Sequence, residues 1–573
     1  MKIITALIFI IFGNFCFYAQ QYTDIANLIN VQESYGTSGE FGGGVSFCDF
    51  NGDGLDDISF ATAQGDSLKF YQNLGNGFMQ VDFNIANINQ VKQINWVDVD
   101  NDGDQDLFFT RFGFSPKIYQ NIGNMVFSDA SLSAGFFTSL KGFGSSWGDI
   151  NNDGFLDLLI CVRDDDASSI TGNKLYLNNG NFSFNDISAS AGIEDLNDLS
   201  FCAALVDINL DGWIDIYIAN DRSEVANELF LNNGDLTFSD ISNTSGASVF
   251  MDAMSATVGD FNYDGYPDFY TTNTYDGNVL LMNNGDDTFN EIADSLGVLF
   301  ESIAWGAVFL DGDNDMDLDL YVSGSLGPST GFLPSAYYER TQVDTFEIKT
   351  LGFELDTAAS FSNAIGDLNN DGFPDIIVTN LSPFNHFIYE NSPNLNHWIK
   401  INLEGTISNR NGVGARIELS SAGQLQYNYT LLGEGFLSQN SFSEFFGIGS
   451  NTTIDSVTIF WPSGIIDKLY LPEIDQSLFL IEGFSASTVS INESQKPTQL
   501  TIYPNPSING FFSYSLNSNE VIREIEFTNS LGQVISDVPV TENSIDLNKL
   551  DPGIYFIKIR TNSRVYITDL IYK

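Results

Sequence analysis

The nonapeptide DINNDGFLD at residues 149–157 decides how this chain is read, because six other segments repeat its pattern, Asp-x-Asp/Asn-x-Asp-Gly-x-x-Asp. They are DFNGDGLDD at 49–57, DVDNDGDQD at 98–106, DINLDGWID at 207–215, DFNYDGYPD at 260–268, DGDNDMDLD at 311–319 and DLNNDGFPD at 367–375. The seven starts lie 49, 51, 58, 53, 51 and 56 residues apart. A repeat of that length is one supersecondary unit, and such units stack into solenoids, arrays or propellers.

Side-chain oxygens at positions 1, 3, 5 and 9 of the pattern can converge on one hard cation, with a backbone carbonyl near position 7 and water completing the shell. The candidate ligands are Asp49, Asn51, Asp53 and Asp57; Asp98, Asp100, Asp102 and Asp106; Asp149, Asn151, Asp153 and Asp157; and Asp207, Asn209, Asp211 and Asp215. Asp260, Asn262, Asp264 and Asp268, then Asp311, Asp313, Asp315 and Asp319, and finally Asp367, Asn369, Asp371 and Asp375 complete the set. An all-oxygen set without cysteine or histidine points to about seven Ca2+ sites and disfavours zinc and copper, while magnesium demands a stricter octahedron. One copy alone would read equally as an Asp-Gly turn between strands. An EF-hand is excluded, because position 12 is Phe60, Phe109, Ile160, Ile218, Thr271, Val322 or Val378 instead of a bidentate Glu. In the sixth copy Met316 replaces the glycine, and a left-handed methionine costs roughly 1 kcal/mol or more; Asp313 and Asp317 are expected to keep the ion there in altered geometry.

Short apolar runs follow each loop, as in LDLLICV and IDIYIAN, and small-residue segments such as CAALVDI precede them; both read as strands. LYLNNGNFSFNDIS from Leu175 and LFLNNGDLTFSDIS from Leu229 add two more strands joined at Asn-Gly. Each unit is therefore a four-stranded blade, and seven loops imply an all-β, seven-bladed β-propeller. The seventh unit lacks its last strand, whereas YTDIANLINV at 22–31 echoes the fourth-strand pattern. The N-terminal segment is expected to close the ring.

These repeats resemble the FG-GAP or VCBS family, the calcium-loop blades also found in integrin α-subunit heads. The resemblance covers residues 21–395 and implies a calcium ion in each loop between the first two strands of a blade. Beyond it, NHW at Asn396–Trp398, SNRNGVGAR at Ser408–Arg416, GFLSQ at Gly435–Gln439, FGIG at Phe446–Gly449 and WPSG at Trp461–Gly464 resemble the ASPIC/UnbV domain of the cartilage acidic protein type, over residues 396–483. Asn411 stands where an acid is expected. Arg410, Arg416, Glu434 and Gln439 are either ligand-binding groups or props for tight turns.

Residues 484–499 are polar and read as a linker. LTIYPNP from Leu500, NSLGQVI from Asn529 and GIYFIKI from Gly553 resemble the type A C-terminal sorting domain of the type IX secretion system, spanning 500–573 as a small β-sandwich. That implies the secretion machinery as a partner and export to the medium or cell surface of a Gram-negative bacterium. The alternative is a sandwich that binds carbohydrate or a neighbouring domain. At the other end, Lys2 followed by IITALIFIIF reads as a signal peptide over 1–20, too short to span a bilayer. No later stretch approaches 18 apolar residues, so no membrane span is expected.

Asp and Glu number 75 against 22 Lys and Arg, for a net charge of −53, and such a surface excludes nucleic acid as a partner. With 43% apolar residues the chain still has a large core. Cys48, Cys161 and Cys202 remain after the signal peptide and read as buried thiols. Two functional readings follow. One is a non-enzymatic binding or adhesion protein for an extracellular glycan or protein. The other is a secreted propeller enzyme, a polysaccharide lyase or hydrolase. The first is preferred, because the chain has only His386 and His397 and no GxSxG, HExxH or Cys-His arrangement.

Overall fold

The computed structural model describes residues 22–36, 41–164, 172–193, 199–326, 331–342, 345–350, 352–353 and 356–483. In the tail it describes 501–503, 507, 510–515, 522–529, 535, 538, 544–550, 553–561 and 565–572. The signal segment, the 484–499 linker, and most of the YPNP and NSLGQVI motifs lie outside the described residues. No described helix is long and apolar enough to cross a membrane. The chain divides into two compact units, 1–489 and 490–573.

The repeats of the first unit form seven four-stranded antiparallel sheets. Blade one runs outward from the axis through Val45–Cys48, Asp57–Phe60, Lys69–Asn73 and Phe78–Val81. Blades two to six repeat this order over residues 91–129, 140–186, 200–240, 256–291 and 304–349. In blade seven, Ser360–Gly366, Asp375–Asn380 and Phe387–Asn391 are completed by Tyr22–Asp24, with Tyr22 opposite Asn391. The N-terminal segment thus closes the ring with three paired residues, and Phe387–Asn391 is no longer the edge strand of the seventh blade. One irregularity breaks the repeat. The inner strand of blade three, Leu140–Gly148, also pairs with the long second strand of blade two, Asp106–Phe114, through Leu140 opposite Phe114 and Lys141 opposite Phe112.

Each blade packs apolar side chains against the next. Trp96 lies against Phe50 and Phe70 between blades one and two, and Trp147 against Phe108 between blades two and three; both tryptophans are fully buried. Cys48, Cys161 and Cys202 are buried cysteines within this packing, outside any disulfide, and burial pushes Cys202 up to about 12.

Residues 397–481 form two sheets. His397–Glu404 is flanked by Glu444–Gly449 and Gln476–Ile481, and the second sheet is ordered Gln424–Tyr429, Arg416–Ser421, Ser456–Phe460, Ile466–Tyr470. Ile399, Ile417, Ile448, Ile459 and Trp461 make its core. In the second unit, strands Thr501–Tyr503, Phe511–Ser515 and Ser544–Asp546 make one sheet, and Ile522–Asn529, Gly553–Thr561 and Val565–Tyr572 another. Phe512, Phe527, Ile545 and Ile557 form its core.

Candidate metal loops and the seam beneath the second domain

Every nine-residue loop joins the inner strand of a blade to its second strand, and the same hydrogen bonds shape all seven. The first aspartate accepts the N–H of position 6, as in Gly54 to Asp49 (2.7 Å), Gly103 to Asp98 (2.8 Å) and Gly372 to Asp367 (2.9 Å). Position 6 is left-handed throughout, φ running from 82° to 94°. Met316 adopts φ 83° and donates its N–H to Asp311 at 2.9 Å, so the sixth loop keeps the common backbone instead of an altered one.

The ninth aspartate opens the second strand and is buried in all seven blades. One oxygen accepts the N–H of position 2 and the other an N–H from the end of the third strand: Phe50 and Asn73 on Asp57, Val99 and Asn121 on Asp106, Ile150 and Asn178 on Asp157. One carboxylate therefore ties together the loop and two strands.

The candidate ligands converge most closely in two loops. Carboxylate oxygens of Asp98, Asp100 and Asp106, and those of Asp311, Asp313 and Asp315, lie within 4.8 Å of one another. The other five loops carry Asn at position 3, and none of them groups three carboxylates in this way among the described residues. Asp100 Oδ1 is buried without a hydrogen-bond partner, a lone acceptor of the kind that a cation completes. Burial, opposed by the N–H of Gly103 and reinforced by Asp102 and Asp100, pushes Asp98 up to about 7. Burial likewise pushes Asp106 up to about 9, Asp57 to about 8 and Asp215 to about 8. Buried carboxylates this close oppose ionisation unless a positive charge joins them, and an all-oxygen set of this size fits calcium.

Two asparagine positions absent from the sequence reading connect the loops. At position 4, Asn101 donates to Gly154 O, Asn152 to Gly212 O, Asn314 to Gly372 O and Asn370 to Gly54 O, at 2.8–3.1 Å. At the end of the third strand, Asn73, Asn178, Asn232, Asn283 and Asn391 each donate to the position 2 carbonyl of the preceding blade's loop. Asn178, Asn232 and Asn283 of this second set stand in the Asn-Asn-Gly motifs that signal hairpins, so there one asparagine serves both turn and seam. Gly52 occupies position 4 of the first loop and has no side chain to reach across. Between loops one and two a cleft of about 650 Å³ opens, lined by Asp49, Asp53, Asp98, Asp104, Glu404 and Arg410 among others.

The domain spanning 397–481 sits on this ring of loops. Asn411 Oδ1 accepts the N–H of Asp98 (2.9 Å), and Asn101 Oδ1 accepts that of Arg410 (2.9 Å). Lys400 Nζ, buried, pairs with Asp367 at 2.8 Å, and Asn314 O accepts the N–H of Gly449 at 2.8 Å. Gly372 meets Trp398 so closely that an added Cβ would lie 1.9 Å from the indole.

Between its two sheets this domain sends residues 430–443 into the propeller axis. Gln439 is the centre of that insertion: its Oε1 accepts from Trp96 N (2.7 Å) and Ser46 Oγ (3.0 Å), and its Nε2 donates to Trp96 O (3.0 Å). Leu432 O accepts from Trp147 N, Gly435 N donates to Ala256 O, and Ser441 N donates to Ile365 O. Phe436 and Leu437 are fully buried against Phe143, Phe201, Met254, Trp305 and Phe361. The segment is a plug joined to inner strands of blades one, two, three, five and seven. Of the polar candidates, Gln439 thus holds the plug and Glu434 accepts from Asn440 within it (2.6 Å). Arg416 stacks on Phe460 at 4.1 Å, and Arg410 pairs with Glu404 at the cleft.

His386 is buried against Phe60, with burial lowering it to about 3, and accepts the N–H of Asn380. His397 pairs with Asp475 at 2.8 Å.

Comparison with known proteins finds three family models along the chain. An FG-GAP-like repeat model matches residues 49–109, 98–160, 149–218 and 207–271; a model described as ASPIC and UnbV matches 405–487; and a secretion system C-terminal sorting domain matches 501–573. Cartilage acidic protein 1 of Mus musculus is 25% identical over 317 residues, covering 49% of this chain and 48% of that protein. The Homo sapiens protein of the same name is 24% identical, covering 49% and 47%. The chain thus spans about half the length of the curated relatives it matches. Among solved structures, BBS1N in complex with ARL6DN covers 63% of this chain and 94% of its own at 10% identity and a TM-score of 0.39. Saccharomyces cerevisiae Sqt1 covers 60% and 83% at 13% identity and 0.37. The chain carries FG-GAP-like repeats, an ASPIC and UnbV domain and a sorting tail that directs secretion to the surface or extracellular space.

Proposed function

We propose that this secreted or cell-surface FG-GAP propeller is a calcium-stabilised binding and adhesion module without catalytic activity, engaging an extracellular glycan or protein. The observation that carries the reading is the use to which the carboxylates are put. Each ninth aspartate spends both oxygens on backbone N–H groups, and the first spends its own on the N–H of position 6. Acids so committed shape loops for a cation and are poorly placed to exchange protons with a substrate. In each loop the first, third, fifth and ninth residues would hold the ion, which supplies the charge that lets closely packed carboxylates stay ionised.

The test is a glycan and protein array probed with the secreted protein in calcium and again in chelator. The expected result is retention of a ligand without turnover, weakened by chelation. Release of shortened saccharides from a retained glycan would identify the enzyme reading instead, and retention of nothing would remove the binding reading altogether.

A further inference from the structure

We propose that Lys400 makes the seventh loop, Asp367–Asp375, the weakest calcium site of the ring and so the one whose filling follows the calcium level of the medium; this rests on the calcium reading proposed above. The loops share a backbone, so charge is what distinguishes them. The number of charged ligands, together with the rigidity of the site, tunes how tightly such a loop holds calcium. The ligand positions carry four carboxylates in the second and sixth loops and three in each of the others.

The seventh loop differs in the positive charge already brought to it. Lys400 stands on the strand His397–Glu404 of the ASPIC and UnbV domain, and its Nζ lies 2.8 Å from Asp367 Oδ2. The same Nζ donates to Asn370 Oδ1 at 2.5 Å. Lys400 is 3% exposed and Asp367 is fully buried, so water screens the pair poorly. Asn370 carries the contact further, its Nδ2 donating to Gly54 O of the first loop at 2.8 Å. Among the described residues no other Lys or Arg forms an ion pair with a candidate ligand. Arg340 bears on Asp315 and Asp317 of the sixth loop only through space.

The ammonium and an ion would share one carboxylate. Asp367 Oδ2 takes both Lys400 and the N–H of Gly372 (2.9 Å), while Oδ1, which accepts the N–H of Asp371 at 3.1 Å, is the oxygen left for calcium. Two effects then lower the gain from binding. Like charges this close repel strongly where water is scarce. Part of the repulsion among Asp367, Asp371 and Asp375, which an ion must relieve in the other loops, is relieved here by the protein itself. Three carboxylates less one ammonium leave the loop a net charge of −2, the smallest of the seven. Asp56, which accepts the N–H of Asp367 at 3.0 Å, and Glu390, which bears on Asp371, also surround the loop. Neither stands at one of its ligand positions, and both act on it whether or not residue 400 is charged. By linkage the conflict is mutual: an ion entering the loop weakens the hold of Lys400 on Asp367 by the same factor.

The test is equilibrium dialysis of the full secreted protein, stepping free calcium down from the calcium-loaded state. One ion is expected to leave at a free calcium tenfold or more above the rest. Asp371→Ala should abolish that step, whereas Asp153→Ala, in the third loop, should remove a tight one. Lys400→Met, which keeps the stem and removes the charge, should move the weak step tenfold or more toward lower calcium, and Lys400→Arg should leave it in place. The rise in melting temperature on adding calcium should also be larger in Lys400→Met than in the parent. A weakest step that survives Asp371→Ala, or that Lys400→Met leaves where it was, would overturn the role of Lys400 and leave calcium binding by the other loops standing. Retention of no calcium by the parent would overturn both that role and the calcium reading.

Discussion

The two faces of the ring are built on opposite principles. On the metal-loop face polar groups tie the structure together: carboxylates take backbone N–H groups, asparagines cross from blade to blade, and a second domain covers the result. On the other face stand the large exposed aromatic side chains of the propeller, among the described residues. Dense mutual satisfaction makes a face hard to alter, and sparse contact leaves the residues free to be selected for a ligand. Stability should therefore respond strongly to changes on one face and hardly at all on the other.

The sharpest way to break that contrast is at the axis. Gly44 lies so close to the plug that an added Cβ would fall 1.8 Å from Leu437 O. Gly44→Ala should cost about 3 kcal/mol or more, read as a lower denaturation midpoint and earlier proteolysis of residues 430–443. A variant that melts like the parent would mean that the plug is not seated in solution.

Next in size comes removal of cations. With site affinities of 10⁻⁴ to 10⁻³ M, ~10 mM calcium supplies about 1–3 kcal/mol per occupied loop, so chelation should lower the melting temperature by ~10 °C or more. The pH dependence has a definite sign. Asp57, Asp106 and Asp215 rise to about 8, 9 and 8 in the folded, cation-free protein, burial being the first cause, against about 3.9 unfolded. Their contribution is fully present below pH ~4 and is lost as pH rises through the folded values. In chelator, stability should fall from pH 5 to pH 9, and calcium should flatten that fall. A calcium increment larger at pH 5 than at pH 9 would contradict the assignment.

The smallest effect concerns the one irregular loop. Met316 holds a left-handed backbone, so Met316→Gly should stabilise by about 1 kcal/mol. Its sulfur also accepts from Asn451 Nδ2 at 3.2 Å. A measured loss, in place of a gain, would show that this contact outweighs the strain.

Much of this was legible in the sequence because a cation loop demands acids at fixed spacing and a propeller demands a fixed period. Seven loops gave seven blades, and the missing strand of the last blade pointed to Tyr22–Asp24. The plug was not legible. GFLSQ resembles a turn, and its partners are main-chain groups of strands hundreds of residues away, which impose no residue pattern. The asparagines of the seam were hidden for another reason: Asn178 and Asn232 already had an explanation as hairpin residues. Met316 misled because propensity weighs one residue, whereas the loop is held by Asp311 and its neighbours.

Closure by the N-terminal strand also sets an order of events. Tyr22 must wait for Asn391, and Trp96 for Gln439, separations of 369 and 343 residues. Contacts so far apart are slow to form, since the intervening chain loses its freedom before they reward it. Six blades can assemble locally as the chain emerges, while the seventh stays open and the axis empty until residue 441 is available. The nascent ring therefore passes through a stage with two unpaired edges, when it is most exposed to mispairing, and its high proportion of acids supplies the repulsion that keeps such intermediates apart.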